Sequence, residues 1–357
     1  MLTLCTLFNS NYLDKGLTLY ESLEKVSNDF ILYVLAMDDK CFNILTQENR
    51  KHLIAIDLKD FENEDLLKAK SNRSFGEYCF TCTASLIKYI LVTYNPEYCS
   101  YIDADMYFYS DPICIIEEMK ERNASVQITG HRFNKFEAIK QRNLVGEFCV
   151  EFNTFKNNKE GHALLDLWVL QCLNSCSNSD GIHYGDQKYM NNWINDYYFV
   201  IETLNLGAGI APWNLNQYKA NGNNLTNGII YKKTGETINI VFYHYESIMY
   251  IDERNINTNA YRYWGINDKL FYILYSNYLK HIHQTKKHLK FKYNLSIYLK
   301  SNPGHSTFDI PDKKLNILSK IVNLCKILFS INNIKKNYLK TIPSILLKNK
   351  NIICIDK

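Results

Sequence analysis

The sequence predicts an α/β protein, on three observations. Short apolar strands alternate with amphipathic helical patterns through the first hundred residues, and the strands run out into polar or acidic turns. The composition, 46% hydrophobic and 22% charged over 357 residues, belongs to a folded chain, and 6 Pro with 14 Gly exclude collagen-like and low-complexity classes. At roughly 100–200 residues per domain this length allows one large domain or two.

Taken in order, residues 2–8 read as a strand and 13–25 as a helix with Leu13, Leu17, Tyr20 and Leu23 near one face. Residues 30–37 form a continuous apolar run ending in Asp38-Asp39, the pattern of a buried parallel strand. A helix over 40–49 and a strand over 53–58 follow, then a long helical pattern over 78–94 and a strand over 98–102 that runs into Asp103-Ala104-Asp105. Further on, 125–130, 147–155 and 238–245 read as strands, and 161–173 and 186–193 as helices. Parallel strands joined by right-handed crossovers bind ligands beyond their carboxyl ends. Chemistry is therefore expected at 8–11, at Asp38-Asp39 and at 103–105.

No apolar run approaches the ~18–20 residues a membrane span needs. The amino terminus, Met-Leu-Thr-Leu-Cys-Thr, lacks the basic start and long apolar stretch of a signal peptide. The 11 Cys are scattered; Cys79 with Cys82, and Cys172 with Cys176, are the close pairs, and no second matching pair completes a zinc site. Reduced thiols in a cytoplasmic protein are the expectation. Charge is uneven: residues 281–357 hold 15 Lys, no Arg and 3 Asp, a net +12, against −8 for the first 280. Leu315, Leu318, Ile321, Val322, Cys325, Leu328 and Phe329 recur there at helical spacing among Lys313, Lys314, Lys320 and Lys326. Such a helix suits an anionic membrane surface or packs on the body. Without Arg forks, nucleic acid is not an expected partner.

The stretch from Tyr101 to Pro112 (Tyr-Ile-Asp-Ala-Asp-Met-Tyr-Phe-Tyr-Ser-Asp-Pro) carries the most chemistry. Residues i and i+2 of a strand share a side, so Asp103 and Asp105 can aim at one point, their Cα atoms about 6–7 Å apart. Two hard carboxylates suit Mn²⁺ or Mg²⁺, ions that also bind phosphates. Like charges at the end of an apolar strand repel unless a cation lies between them.

This region resembles the nucleotide-sugar-dependent glycosyltransferases of the GT-A fold. It is most similar to the family-eight type of bacterial polysaccharide and lipopolysaccharide synthesis, and the resemblance spans roughly residues 2 to 250. It implies a Rossmann-like GT-A domain with a mixed central sheet, placed at 1–280, and the charge division sets off 281–357 as a basic helical C-terminal extension. It implies that Thr6, Phe8, Asn9 and Tyr12 hold the base and ribose, and that the helix over 78–88 faces the nucleotide. It also implies that Asp103, Ala104 and Asp105 lie at the metal and diphosphate, with His244 of Phe-Tyr-His-Tyr as third metal ligand. Asn153, Asp186 and Gln187 are the implied groups at the donor sugar and its anomeric carbon. The sequel to His244 departs from the family: Glu246-Ser247-Ile248 replaces the Gly and Lys-Pro-Trp segment that grips the diphosphate. Lys88, Lys232 or Lys233 are the candidates to replace that grip.

The implied activity is metal-dependent, retaining transfer of a sugar from a nucleoside-diphosphate sugar, with UDP as the carrier, to a glycan or lipid-linked acceptor. Two other functions compete. An aspartyl-phosphate phosphatase or phosphotransferase also carries a DxD, but near the chain start and followed by Thr or Val, where this pair stands at 103 with Met-Tyr after it. The third is a sugar-nucleotide-binding module without turnover. Trp193, Trp213 and Trp264 are either a sugar-stacking platform or core, and residues 204–215, with Gly207 and Gly209, are expected to form a loop on the acceptor side. The expected location is cytoplasmic, with peripheral contact at the inner membrane face through the basic region.

Overall fold

The computed structural model describes residues 1–252, 255–263, 265–297 and 352–354. The chain opens with β1 (Leu2–Phe8), α1 (Leu13–Val26), β2 (Phe30–Ala36), α2 (Asp39–Glu48) and β3 (Leu53–Asp57). Two short helices, α3 (Leu58–Phe61) and α4 (Glu64–Lys70), lead into α5 (Phe75–Tyr94) and β4 (Tyr98–Ile102). Then come β5 (Met106–Phe108), α6 (Ile113–Glu121), β6 (Val126–Gly130), α7 (Lys135–Val145), β7 (Phe148–Lys156), α8 (Lys159–Asn174), α9 (Trp193–Asp196) and β8 (Val200–Glu202). The remainder holds β9 (Tyr218–Ala220), β10 (Ile229–Tyr231), β11 (Thr237–Ile238), β12 (Phe242–His244), β13 (Met249–Tyr250), β14 (Asn255–Asn257), α10 (Asp268–Tyr293) and β15 (Ile352–Cys354).

The central sheet runs β3-β2-β1-β4-β7-β6-β8. Strands β1 to β4 are mutually parallel, and β7 is antiparallel to both β4 and β6. The mixed α/β sheet is the predicted class. All seven residues of β1 are buried, as an apolar strand covered on both faces must be. One apolar cluster joins the sheet to α1, α2, α6 and α10, and a second joins its other face to α4, α5 and α8. The chain adds β2 and β3 on one side of β1 and then returns through α5 to place β4 on the other side. The carboxyl ends of β1 and β4 therefore diverge, opening a crevice at this switch point.

Local signals fix the elements around that crevice. Ser74 and Glu77 close a capping box at the start of α5. Asp38, at the end of β2, caps α2 through the Cys41 amide at 2.7 Å, and its other oxygen accepts from the Ser10 amide and hydroxyl at 2.9 Å. One carboxylate thus starts a helix and pins the loop after β1.

Two expected elements differ. The helix expected over 186–193 is a 3-10 turn, Lys188–Asn192, and α9 begins only at Trp193. The strand expected over 238–245 is interrupted between β11 and β12, because the Val241 amide bonds Gly207 O of a separate loop at 2.8 Å. Helix α10 runs through residue 280 and packs on α1, with the Thr18 and Thr285 hydroxyls 3.0 Å apart and Glu21 accepting from His281 at 2.7 Å. The amphipathic Lys-rich stretch lies outside the described residues, and Ile352–Cys354 form a strand beside β14. Among the described residues no helix is long and apolar enough to cross a membrane.

Candidate functional site

The end of β4 is held by its neighbours. The Asp103 amide donates to Glu151 O on β7 at 3.2 Å, and the Met106 amide turns back to Asp103 O at 3.3 Å. Strand β5 then pairs with β12, with Met106 opposite His244, and the Tyr245 amide donates to Asp105 O at 2.9 Å. Ligand atoms of Asp103, Asp105 and His244 consequently lie within 4.8 Å of one another. His244 Nε2 is 3.1 Å from Asp105 Oδ1 and 3.7 Å from Asp103 Oδ2, and its Nδ1 is 2.9 Å from Glu151 Oε2. Residues 204–215 serve this strand: the His244 amide donates to Ile210 O at 2.9 Å, and Gly209, at φ +77°, packs where a Cβ would lie 3.0 Å from Glu151 Oε1.

Burial sets the electrostatics. It raises Asp103 to about 6, against the pull of His244, with Asp105 and Glu151 adding to the rise. Asp105 goes the other way: burial opposes its charge, but the charge and hydrogen bond of His244, helped by Lys15, hold it below the usual range. His244 stays well above an ordinary imidazole; burial works against its charge and is outweighed first by Asp105. Among the described residues, Asp103, Asp105, Glu151 and Asp186 gather around His244, while Asp14 lies beside Lys15 and accepts from Tyr250, whose ring carries the Lys286 ammonium. Such an excess calls for a further cation. Two carboxylates and an imidazole fit a divalent ion, and the nitrogen donor suits Mn²⁺ better than Mg²⁺.

The residues expected at the nucleotide line the β1 side. Thr6 is fully buried and its hydroxyl has no hydrogen-bond partner among the described residues. The Phe8 ring fills the space above Gly16, where a Cβ would come within 2.3 Å of it, so Phe8 is a floor rather than an exposed stacking face. Asn9 accepts from the Asn11 amide at 3.1 Å and shapes the loop, while Tyr12, half-buried, lies under the Lys15 ammonium at 3.8 Å from ring centroid to Nζ. Ala104, 8% exposed, separates the two acids with only a methyl group.

On the other side, Gly185 at φ +58°, against the Phe80 ring, presents Asp186. Asp186 is buried; burial first, then Asp103, pushes its carboxyl up to about 7 against a hydrogen bond with Thr83, and its Oδ2 has no hydrogen-bond partner among the described residues. The Gln187 amide donates to Val145 O at 2.5 Å, tying this turn to the end of α7. Asn153 is fully buried and engaged at both ends, accepting from the Thr129 amide at 3.1 Å beside a bulge in β6 and facing Met190 Sδ at 3.3 Å. Lys88 is not brought to the acids: its ammonium pairs with Asp166 of α8 at 2.7 Å. Lys232 is exposed and bonds Asn216 O at 2.6 Å, and Lys233 is exposed. Trp193 packs in the core against Phe155 and Trp168, Trp213 is buried edge-on to His244 at 5.4 Å, and Trp264 lies outside the described residues.

Two further residues belong to the site. Lys15 stands three places after the nucleotide loop, at the start of a helix; it is 1% exposed, and its ammonium makes no salt bridge among the described residues. Glu151 is an acid inside the apolar strand Phe-Cys-Val-Glu-Phe, a pattern that by itself marks a buried carboxylate with a task.

No family model matches the chain. The uncharacterized Bacillus subtilis protein YfnD is 30% identical over 283 residues, which are 77% of this chain and 88% of YfnD. The chain belongs to the YfnD family. A second B. subtilis protein, YfnF, is 28% identical over 289 residues, covering 79% of this chain and 86% of YfnF. Among solved structures, the chain is similar to the galactosyltransferase LgtC in complex with donor and acceptor sugar analogues, at a TM-score of 0.47 and 13% identity over 69% of this chain and 87% of LgtC. Mouse xyloside xylosyltransferase 1 gives 0.43 and 13% over 69% and 98%, and the Streptococcus pneumoniae glycosyltransferase GlyE gives 0.43 and 13% over 69% and 54%. This member of the YfnD family has the mixed central sheet that the resemblance implied, with an acid pair leaving β4 toward the strand that carries His244.

Proposed function

We propose that the protein transfers a sugar from a nucleoside-diphosphate sugar, with UDP as the carrier, to a glycan or lipid-linked acceptor of surface polysaccharide synthesis, with retention at the anomeric carbon. The observation that carries this reading is the convergence of Asp103, Asp105 and His244 at the switch point of the sheet, amid buried acids in excess over cations. Those three residues would hold a divalent metal, Mn²⁺ or Mg²⁺, which as a Lewis acid neutralises charge on the leaving diphosphate. Thr6, Asn9 and Tyr12 border the base and ribose, with Phe8 beneath them. Lys15 supplies the fixed positive charge beside the phosphates, a part that Lys88, engaged by Asp166, does not take. Asp186 and Gln187 face the reacting sugar; the raised carboxyl of Asp186 lets it donate or accept a hydrogen bond near neutral pH. Asn153 shapes the wall behind them through the β6 bulge.

The test is nucleoside-diphosphate release from a panel of nucleotide sugars with Mn²⁺. Release is expected with at least one UDP-sugar, and chelation or Asp105→Ala should lower it about 100-fold or more. Phosphate release from phosphomonoesters instead would assign the site to a phosphatase, and donor binding with no turnover on any acceptor would make it a binding module.

The basic C-terminal region is proposed to hold the enzyme on an anionic membrane surface, supported by its +12 charge and interspersed apolar residues. Replacing Lys313, Lys314, Lys320 and Lys326 by Gln should reduce binding to phosphatidylglycerol vesicles and leave donor hydrolysis unchanged. Equal vesicle binding by both proteins would refute it.

A further inference from the structure

We propose that Glu151 is a positioning residue that fixes His244 as a metal ligand. The inference rests on the reading that Asp103, Asp105 and His244 hold a divalent ion. Glu151 sits in the middle of β7 and is fully buried, and no lysine or arginine salt-bridges it among the described residues. An ionisable group is kept at such a place only where it has a partner. Its partner is the imidazole: Oε2 lies 2.9 Å from Nδ1 of His244.

That contact decides which nitrogen faces the acids. A carboxylate accepts and cannot donate when ionised, so Nδ1 must carry a proton toward Glu151. The lone pair of the neutral ring is then confined to Nε2, the nitrogen 3.1 Å from Asp105. The same residue also holds a second ligand, since its backbone oxygen accepts the Asp103 amide at 3.2 Å. One residue of β7 therefore sets the ring of His244 through its side chain and the start of the acid turn through its main chain. The anionic acceptor makes the ring a better donor to a cation, the effect of a carboxylate behind a metal-bound histidine. Gly209 keeps room for it, since a Cβ there would press on Glu151 Oε1.

A rival site shares these atoms. Cys149, Glu151 and His244 also lie within 4.8 Å of one another, and a soft metal bound behind the ring would use Nδ1 rather than Nε2. The two arrangements are exclusive, because Nδ1 cannot both donate to Glu151 and bind an ion.

The experiment measures Mn²⁺ affinity by electron paramagnetic resonance of the free ion, for the wild type, Glu151→Gln, Glu151→Leu and Cys149→Ser. Folding is checked by near-ultraviolet circular dichroism. Glu151→Leu should weaken Mn²⁺ about 10–100-fold. Glu151→Gln, which keeps an acceptor for Nδ1–H but loses the charge, should fall between it and the wild type, and it carries the test if the Leu variant does not fold. Cys149→Ser should bind as the wild type does. In protein with ¹⁵N-labelled histidine saturated with Mg²⁺, a hard diamagnetic ion, the His244 proton should sit on Nδ1 and leave Nε2 unprotonated. Unchanged Mn²⁺ affinity in both folded Glu151 variants overturns the proposal, as does a His244 proton found on Nε2 rather than Nδ1 or a loss in Cys149→Ser equal to that in Glu151→Leu. Failure of the wild type to bind Mn²⁺ overturns the metal reading itself.

Discussion

An ammonium is hard to bury, and at Lys15 the cost is visible. Burial lowers its pKa against the opposing influence of Asp14 and Asp105, and its main support is the face of Tyr12. A group left in this condition gains most when an anion arrives within hydrogen-bond reach. Lys15→Met should therefore weaken UDP binding in Mn²⁺ by about 10–100-fold, the worth of one charge-assisted hydrogen bond. Uridine, which has no phosphate, should bind both proteins alike. Calorimetry with the two ligands reads the difference, and an equal loss for both would remove Lys15 from the phosphate site. At this scale the acid pair was legible because an apolar strand running into two acids marks a strand end, but the turn between β4 and β5, not strand alternation, brings the two together. Lys15 and Glu151 were not, because a lysine beside a loop and an acid in a strand acquire meaning only from what faces them. Asn153 shows the converse: its motif is plain in the sequence, but its amide is engaged by Thr129 and Met190.

Between elements, the tie of α10 to the sheet domain is electrostatic as well as apolar. Glu48, with its side chain 2% exposed at the end of α2, accepts from Arg50 at 3.0 Å on Oε2 and, on Oε1, from three groups of α10: His288 at 2.8 Å, Lys292 at 3.0 Å and Tyr293 at 2.7 Å. Burial by itself would raise its pKa, and these three partners instead bring it from 4.5 down to about 2. A depressed carboxyl stabilises the folded chain above its unfolded value and loses that contribution as pH falls through the folded one. The gain, about 2 kcal/mol once solvent screening is allowed for, should be full at pH 6 and fade between about pH 5 and 2. Urea unfolding of the wild type and Glu48→Gln should differ most near neutrality and converge toward pH 2; a gap that persists at pH 2 would show that the tie is not ionic. Elements β1, α1, β2, α2, β3, α5 and β4 were readable because burial leaves apolar runs and amphipathic stripes, whereas the short α3, α4 and β5 carry no such pattern. The 3-10 turn at Lys188–Asn192 and the interruption before β12 were not, since backbone bonds to distant loops decide them.

For the molecule as a whole, the proposed site predicts linkage between two ligands. Among the described residues four acids crowd around His244, so a nucleoside diphosphate alone meets repulsion and should bind weakly, whereas Mn²⁺ and UDP together complete the charge balance. Thermal unfolding should shift little with UDP alone. With Mn²⁺ present, UDP at 100 times its dissociation constant should add about 2.7 kcal/mol and raise the midpoint by several degrees. An equal shift without metal would mean that the acids do not lie at the phosphates.

The sequence by itself determined the α/β class, the parallel β1 to β4 half of the sheet and the place of Asp103 and Asp105 just beyond a strand end, because periodicity and apolar runs are properties of neighbouring residues. Only the tertiary structure decided that His244 reaches those acids 139 residues later, that Glu151 stands behind its ring, and that Lys15 rather than Lys88 shares the crevice. Those contacts depend on which strands pair and which faces pack. Strand order and packing join segments far apart in the chain, so no local pattern encodes them.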